Sequence, residues 1–204
     1  MKLDTTFIIL STLLIGSLIP LYIYRKKIFT FAYKTGEVDF FLRDLKRLLH
    51  TNYPKIKFDY TIVQKTKNEK DIMIRQTLIV EDMINQFFYH KYEKNTQDSI
   101  PKERLWTGYE SKSYSNPKVP NDWRERKAFS WQRDNGRCNR CGTKIKLENS
   151  ITTFAKDIAD GGGYNFENII ILCPDCNKTI NSKNPRNTIA SLQLNDILMK
   201  LVEN

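Results

Sequence analysis

Histidine is nearly missing from this 204-residue chain. The two present, His50 and His90, leave everything beyond residue 90 without an imidazole to serve as general base or metal ligand. Cysteine is as scarce and more tightly placed. All four lie between Arg137 and Asn177, which excludes a disulfide framework spread along the chain. Acid is in deficit: 23 Asp and Glu stand against 33 Lys and Arg, a formal charge of +10. That balance suggests an acidic partner, either nucleic acid or an anionic membrane face. No A-x-A-like site follows the N-terminal apolar run, so a cleaved signal peptide does not fit. Aromatic residues are not lacking. At 12% they suffice for packed cores and exclude a wholly disordered chain.

The cysteines are paired as Cys138-x-x-Cys141 and Cys173-x-x-Cys176. Each C-x₂-C puts two thiolates on one tight turn, the separation that a tetrahedral Zn²⁺ needs. Two such pairs complete a four-sulfur shell with no open position. The implied zinc is structural, clamping two distant parts of the chain. Unligated thiols or disulfides suit the pattern less well, because the paired knuckles use every cysteine.

Residues 1–24 read as a transmembrane signal anchor. Thr5 to Tyr24 carries no charge, Tyr22 and Tyr24 suit an interfacial belt, and Arg25-Lys26-Lys27 follows. The expected topology is single-pass at the membrane, with the C-terminal bulk cytoplasmic. Residues 25–36 form a basic juxtamembrane collar. Residues 37–94 read as a small α+β or helical middle domain, available for a protein partner or self-association. It has a helix at 37–50, a strand from the alternation of Ile56, Phe58, Tyr60 and Ile62, and a helix from about Asp71. Asp71 to Arg75 reads alternatively as a second strand. Residues 95–120 hold Pro101, Pro117 and Pro120 and read as a linker, with Trp106 and Tyr109 available to dock.

The zinc domain is expected at 121–187. A helix capped by Asp122 should run from Trp123 to Asp134, with strands at Ile151–Ala155 and Asn168–Leu172 and a helix after Asn177. Residues 188–204 add a C-terminal helix with apolar Ile189, Leu192, Leu194, Ile197, Leu198 and Leu201. Residues 121–204 hold 13 basic and 10 acidic side chains, net +3, a weak electrostatic footprint. The candidate phosphate contacts are Arg124, Arg126, Lys127, Arg137, Arg140, Lys144, Lys183 and Arg186.

The order of these motifs resembles the zinc-stabilised branch of the HNH endonucleases. Asp134-Asn135-Gly136-Arg137-Cys138 opens the block; Gly161-Gly162-Gly163, Glu167-Asn168-Ile169 and Leu172-Cys173-Pro174-Asp175-Cys176-Asn177 follow. The resemblance covers roughly residues 120 to 187 and implies a ββα-metal fold acting on nucleic acid. It implies that Asn168 braces the loop between the strands and that Asn177 stands at a metal-ligand position. The family's Asp-His pair, metal ligand and general base, falls here on Thr153 and Phe154, or one residue on at Phe154 and Ala155. Phenylalanine accepts no proton, so the usual base is missing. Asp157 and Asp160 are candidate oxygen ligands if Mg²⁺ or Mn²⁺ is used catalytically; otherwise they are solvated loop carboxylates.

The expectation is an α+β chain made of a single N-terminal transmembrane helix, a small mixed middle domain and a C-terminal HNH-like zinc domain. It would bind or act on nucleic acid, DNA first, with impaired or lost catalysis. An active metal-dependent DNA endonuclease and a non-catalytic protein-interaction scaffold at the membrane are the alternatives.

Overall fold

A computed structural model describes residues 5–25, 30–94 and 118–203. The chain divides into two compact units, Met1–Asp44 and Leu45–Asn204. Of the expected linker, residues 95–117, with Trp106 and Tyr109, lie outside the described residues, as do residues 26–29 of the basic collar.

The first unit holds α1 (Thr5–Ile23) and the start of α2 (Thr30–Asn52). The expectation of a transmembrane helix is corrected here. Among the described residues, no helix is long and apolar enough to cross a membrane. The 19 residues of α1 rise about 28 Å, just under the ~30 Å of a hydrocarbon core. Pro20 lies inside the helix, and Thr6, Ser11, Thr12, Gly16 and Ser17 interrupt the apolar run. The Ser17 hydroxyl donates back to the Leu14 carbonyl at 2.8 Å.

The second unit begins within α2, where Leu45 and Leu49 are fully buried. The helix expected at 37–50 therefore exists but starts earlier, at Thr30. The strand expected at 56–62 does not form. Residues 56–60 are irregular and lead into α3 (Ile62–Lys65). The alternation is real, since Ile56 is buried while Lys57 and Asp59 are exposed. What is absent is a neighbouring strand. The Gln86 side chain takes that place: its Oε1 accepts from Asp59 N at 2.7 Å and its Nε2 donates to Asp59 O at 2.7 Å.

Helix α4 (Ile72–Tyr89) starts where Asp71 caps it, its carboxylate accepting from Met73 N and Ile74 N. The segment Asp71–Arg75 is thus a helix start and not a second strand. Such a cap contributes about 1 kcal/mol. Burial contributes more. Ile79, Val80, Met83, Ile84 and Phe87 recur at helical spacing and are at most 2% exposed, each contributing roughly 1.5–3 kcal/mol. Among the described residues of 37–94, the regular elements are helices.

Helix α5 (Trp123–Arg133) leads to the first knuckle. Asp122 does not cap it with its side chain; the carboxylate instead meets Arg126 Nε at 3.0 Å. Strands β1 (Ile151–Phe154) and β2 (Ile169–Leu172) pair antiparallel, Ile151 opposite Leu172 and Phe154 opposite Ile169. All four residues of β2 are buried, and α5 packs on it. Helix α6 (Pro174–Ile180) completes a ββα unit. It starts before Asn177, with Cys173 as its cap. The expected C-terminal helix is two helices, α7 (Pro185–Ala190) and α8 (Gln193–Glu203). Both pack on α4, and the middle region from Leu45 onward shares one unit with the zinc region.

Replacing Phe87 by Ala is expected to lower stability by about 3–5 kcal/mol. Because the unit is shared, helical circular dichroism and zinc release should follow one denaturation curve. Two separate transitions would show that the regions fold independently.

Candidate metal centre and the ββα site

The first knuckle is a tight loop held by backbone bonds. Cys138 N donates to Thr143 O at 2.8 Å and Gly142 N to Cys138 O at 2.9 Å, and Arg137 bridges Lys144. Gly142, at φ +81°, provides the left-handed step that returns the chain. Asn139 N donates to Ile171 O at 2.8 Å, fastening this loop to β2, whose end carries the second knuckle. At α6 the Cys173 thiol accepts from Cys176 N at 3.4 Å.

All four cysteines are buried, and their sulfurs lie within 4.8 Å of one another. Cys141 Sγ and Cys173 Sγ are 3.8 Å apart. Sulfurs at ~2.3 Å from a tetrahedral zinc stand about 3.8 Å apart, so the donor set fits structural Zn²⁺. The thiols alone cannot share much charge. Hydrogen bonds from Cys141, Cys173 and Cys176 hold the Cys138 thiol far below its usual range. Contacts with Cys138 and Cys141, reinforced by burial, push Cys173 and Cys176 far up. A shared dication removes that conflict.

One buried cation faces the centre. Arg140 is 2% exposed and donates from Nη1 to Cys176 Sγ at 3.5 Å. Its Nη2 donates to the carbonyls of Phe87, Phe88 and His90 at 2.6, 3.2 and 3.1 Å, which closes the C-terminus of α4. A candidate phosphate contact is therefore a buried structural arginine. Burial and the Arg140 charge lower the pKa of the His90 imidazole. Tyr92 and Lys55 add to the same junction: Tyr92 Oη donates to Asn139 Oδ1 at 2.6 Å and Lys55 Nζ to Asn139 O at 2.9 Å.

Asp175 was not singled out by the sequence. It is 4% exposed, and its two oxygens accept from Gln193 N and Leu194 N, each at 2.9 Å. A residue inside the second knuckle thus caps α8. No local signal marks it, because its partners lie well beyond its own helix.

The ββα face differs in kind. Asn168 is fully buried; its Oδ1 accepts from Lys156 N at 2.8 Å, and its Nδ2 donates to Lys156 O at 2.9 Å and Gly163 O at 2.6 Å. It braces the loop between the strands. Gly162 is required there, since a Cβ would stand 2.0 Å from Lys156 O. Phe154 packs against Trp123 and Tyr164, with ring centroids 5.9 and 5.6 Å away, and those two rings are 5.7 Å apart. Arg126 secures this cluster by donating to Tyr164 O at 2.7 Å. Asp157 and Asp160 are exposed, and Asp157 pairs with Lys94 at 3.4 Å. Asn177 Oδ1 accepts from Asn181 Nδ2 at 3.0 Å. Among the described residues, the four cysteines are the sole group of three or more His, Cys, Asp or Glu placed to hold a metal.

Residues 138–183 match the HNH endonuclease family. The match opens on the first cysteine, contains the ββα unit and covers well under half of the chain. No curated protein and no solved structure matches the chain. The segment is an HNH nuclease-like domain with a four-cysteine metal site, which points to a nucleic-acid-related function. Of the other basic candidates around the HNH-like domain, Arg124, Lys144, Lys183 and Arg186 are exposed. Lys127 donates to Ser150 O at 2.8 Å and Arg137 to Gly142 O at 3.1 Å, both half-buried.

Two outcomes are expected. Stripping the metal with a strong chelator should speed amide exchange across residues 79–88 as well as in the knuckles, since Arg140 joins them. Exchange confined to the knuckles would sever that link. Arg140→Met should cost at least about 2 kcal/mol by urea denaturation, because it orphans buried carbonyls.

Proposed function

We propose that this chain is a nucleic-acid-binding protein on an HNH-like scaffold whose cutting chemistry has been lost. The observation that carries this reading is the ring cluster of Phe154, Trp123 and Tyr164. In one frame of the resemblance Phe154 stands at the family's general-base position, and with the frame one residue on it stands at the metal-ligand position. No residue beyond His90 offers an imidazole, and loss of a positioned base typically costs about 10²- to 10⁴-fold in rate. The exposed loop carboxylates Asp157 and Asp160 have no third ligand gathered with them among the described residues. Binding needs none of this. It needs a rigid domain with exposed cations, and the zinc centre and Asn168 supply the rigidity. Thiolates committed to zinc also suit a reducing compartment.

The test is plasmid cleavage by the zinc-loaded full chain with Mg²⁺ or Mn²⁺, beside an Asn177→Ala variant. The expected result is an uncut plasmid and a retarded complex. Metal-dependent nicking that disappears in the variant would overturn the reading and establish a nuclease with an unusual base. Phe154→His alone should create no activity, because Trp123 and Tyr164 still fill the space that water and a metal would need.

A further inference from the structure

A groove of roughly 760 Å³ is lined by residues of both knuckles and by none of the three clustered rings. Its lining includes Arg137, Lys144 and Lys146 with the amide side chains of Asn52, Asn149 and Gln193. Lys144 and Lys146 are exposed. Neither meets a carboxylate among the described residues. Asp175 is the one carboxylate in the described lining, and its oxygens are already taken by Gln193 N and Leu194 N. The zinc centre behind Cys173 carries about −2, and Arg140 partly neutralises it from the buried side. The three groove cations outweigh the remainder. The Thr143 hydroxyl donates to Asn52 O across the groove.

The geometry points to this groove as the place where a nucleic-acid strand lays its phosphodiester backbone. Lys144, Lys146 and Arg137 take the phosphates, and the three amides suit sugar hydroxyls or base edges. The inference rests on the nucleic-acid reading above and locates it at the knuckles rather than at the ring cluster. Backbone contact through point charges is sequence-tolerant, so the groove holds a strand without selecting its sequence.

The test is fluorescence anisotropy of a labelled oligonucleotide, single-stranded and duplex, titrated with the zinc-loaded full chain between 50 and 200 mM salt. Lys144→Ala/Lys146→Ala is compared with Lys183→Ala/Arg186→Ala, all four positions being exposed. Zinc content and circular dichroism verify that each variant is folded. The groove variant should bind about tenfold more weakly, and its salt slope should fall by about 1.4 on a single strand or 1.8 on duplex. Unchanged affinity and slope in the groove variant, with a loss in the Lys183/Arg186 variant, would overturn the groove while leaving nucleic-acid binding intact. No binding of either oligonucleotide by the unmodified chain would overturn both.

Discussion

Arg140 is held between two sources of negative charge, and the larger unit depends on that position. On one side is the four-cysteine centre, about −2 with zinc bound. On the other are the terminal carbonyls of α4, the negative end of its helix dipole. A lone guanidinium at 2% exposure would carry a desolvation cost of several kcal/mol. Here its donors meet a thiolate and three carbonyls. The same side chain stacks over the Phe87 ring at 5.0 Å. Metal, arginine and helix therefore stabilise one another, and the metal staples more than the two knuckles.

The second knuckle repeats the device with opposite sign. Asp175 offers a carboxylate to the N–H groups that open α8, at the positive end of that helix's dipole. Each knuckle thus carries one buried charged residue reaching a helix end outside the ββα unit. Helices α4 and α8 pack together, with buried residues on both.

Beside this rigid frame, the end of β1 packs among aromatic rings. The loop brace survives: Asn168 still binds Lys156 and Gly163. The end of β1 holds a phenylalanine locked between two rings. The loop brace and the candidate chemistry rest on different residues. The brace bonds to backbone, which any sequence provides. Proton transfer needs an imidazole that the chain does not have there.

The local patterns were legible in the sequence alone. The C-x₂-C spacing determined the metal and its ligands, since a two-residue gap places both sulfurs on one turn whatever surrounds it. The ordered glycines and asparagines carried the resemblance that implied the ββα unit, and the apolar spacing of 79–88 implied a buried helix. Only the tertiary structure decided what depends on distant partners. It made Arg140 structural, although an arginine between cysteines reads equally well as a phosphate contact. It gave Asp175 a helix to cap, and it turned the alternation at 56–60 into an irregular segment because Gln86 stood where a strand would have been. In α1 the apolar run implied a helix that crosses a membrane; the helix forms, but among the described residues no helix is long and apolar enough to cross one. Periodicity records which side chains are buried. It does not record what buries them, because those contacts join residues far apart in the chain.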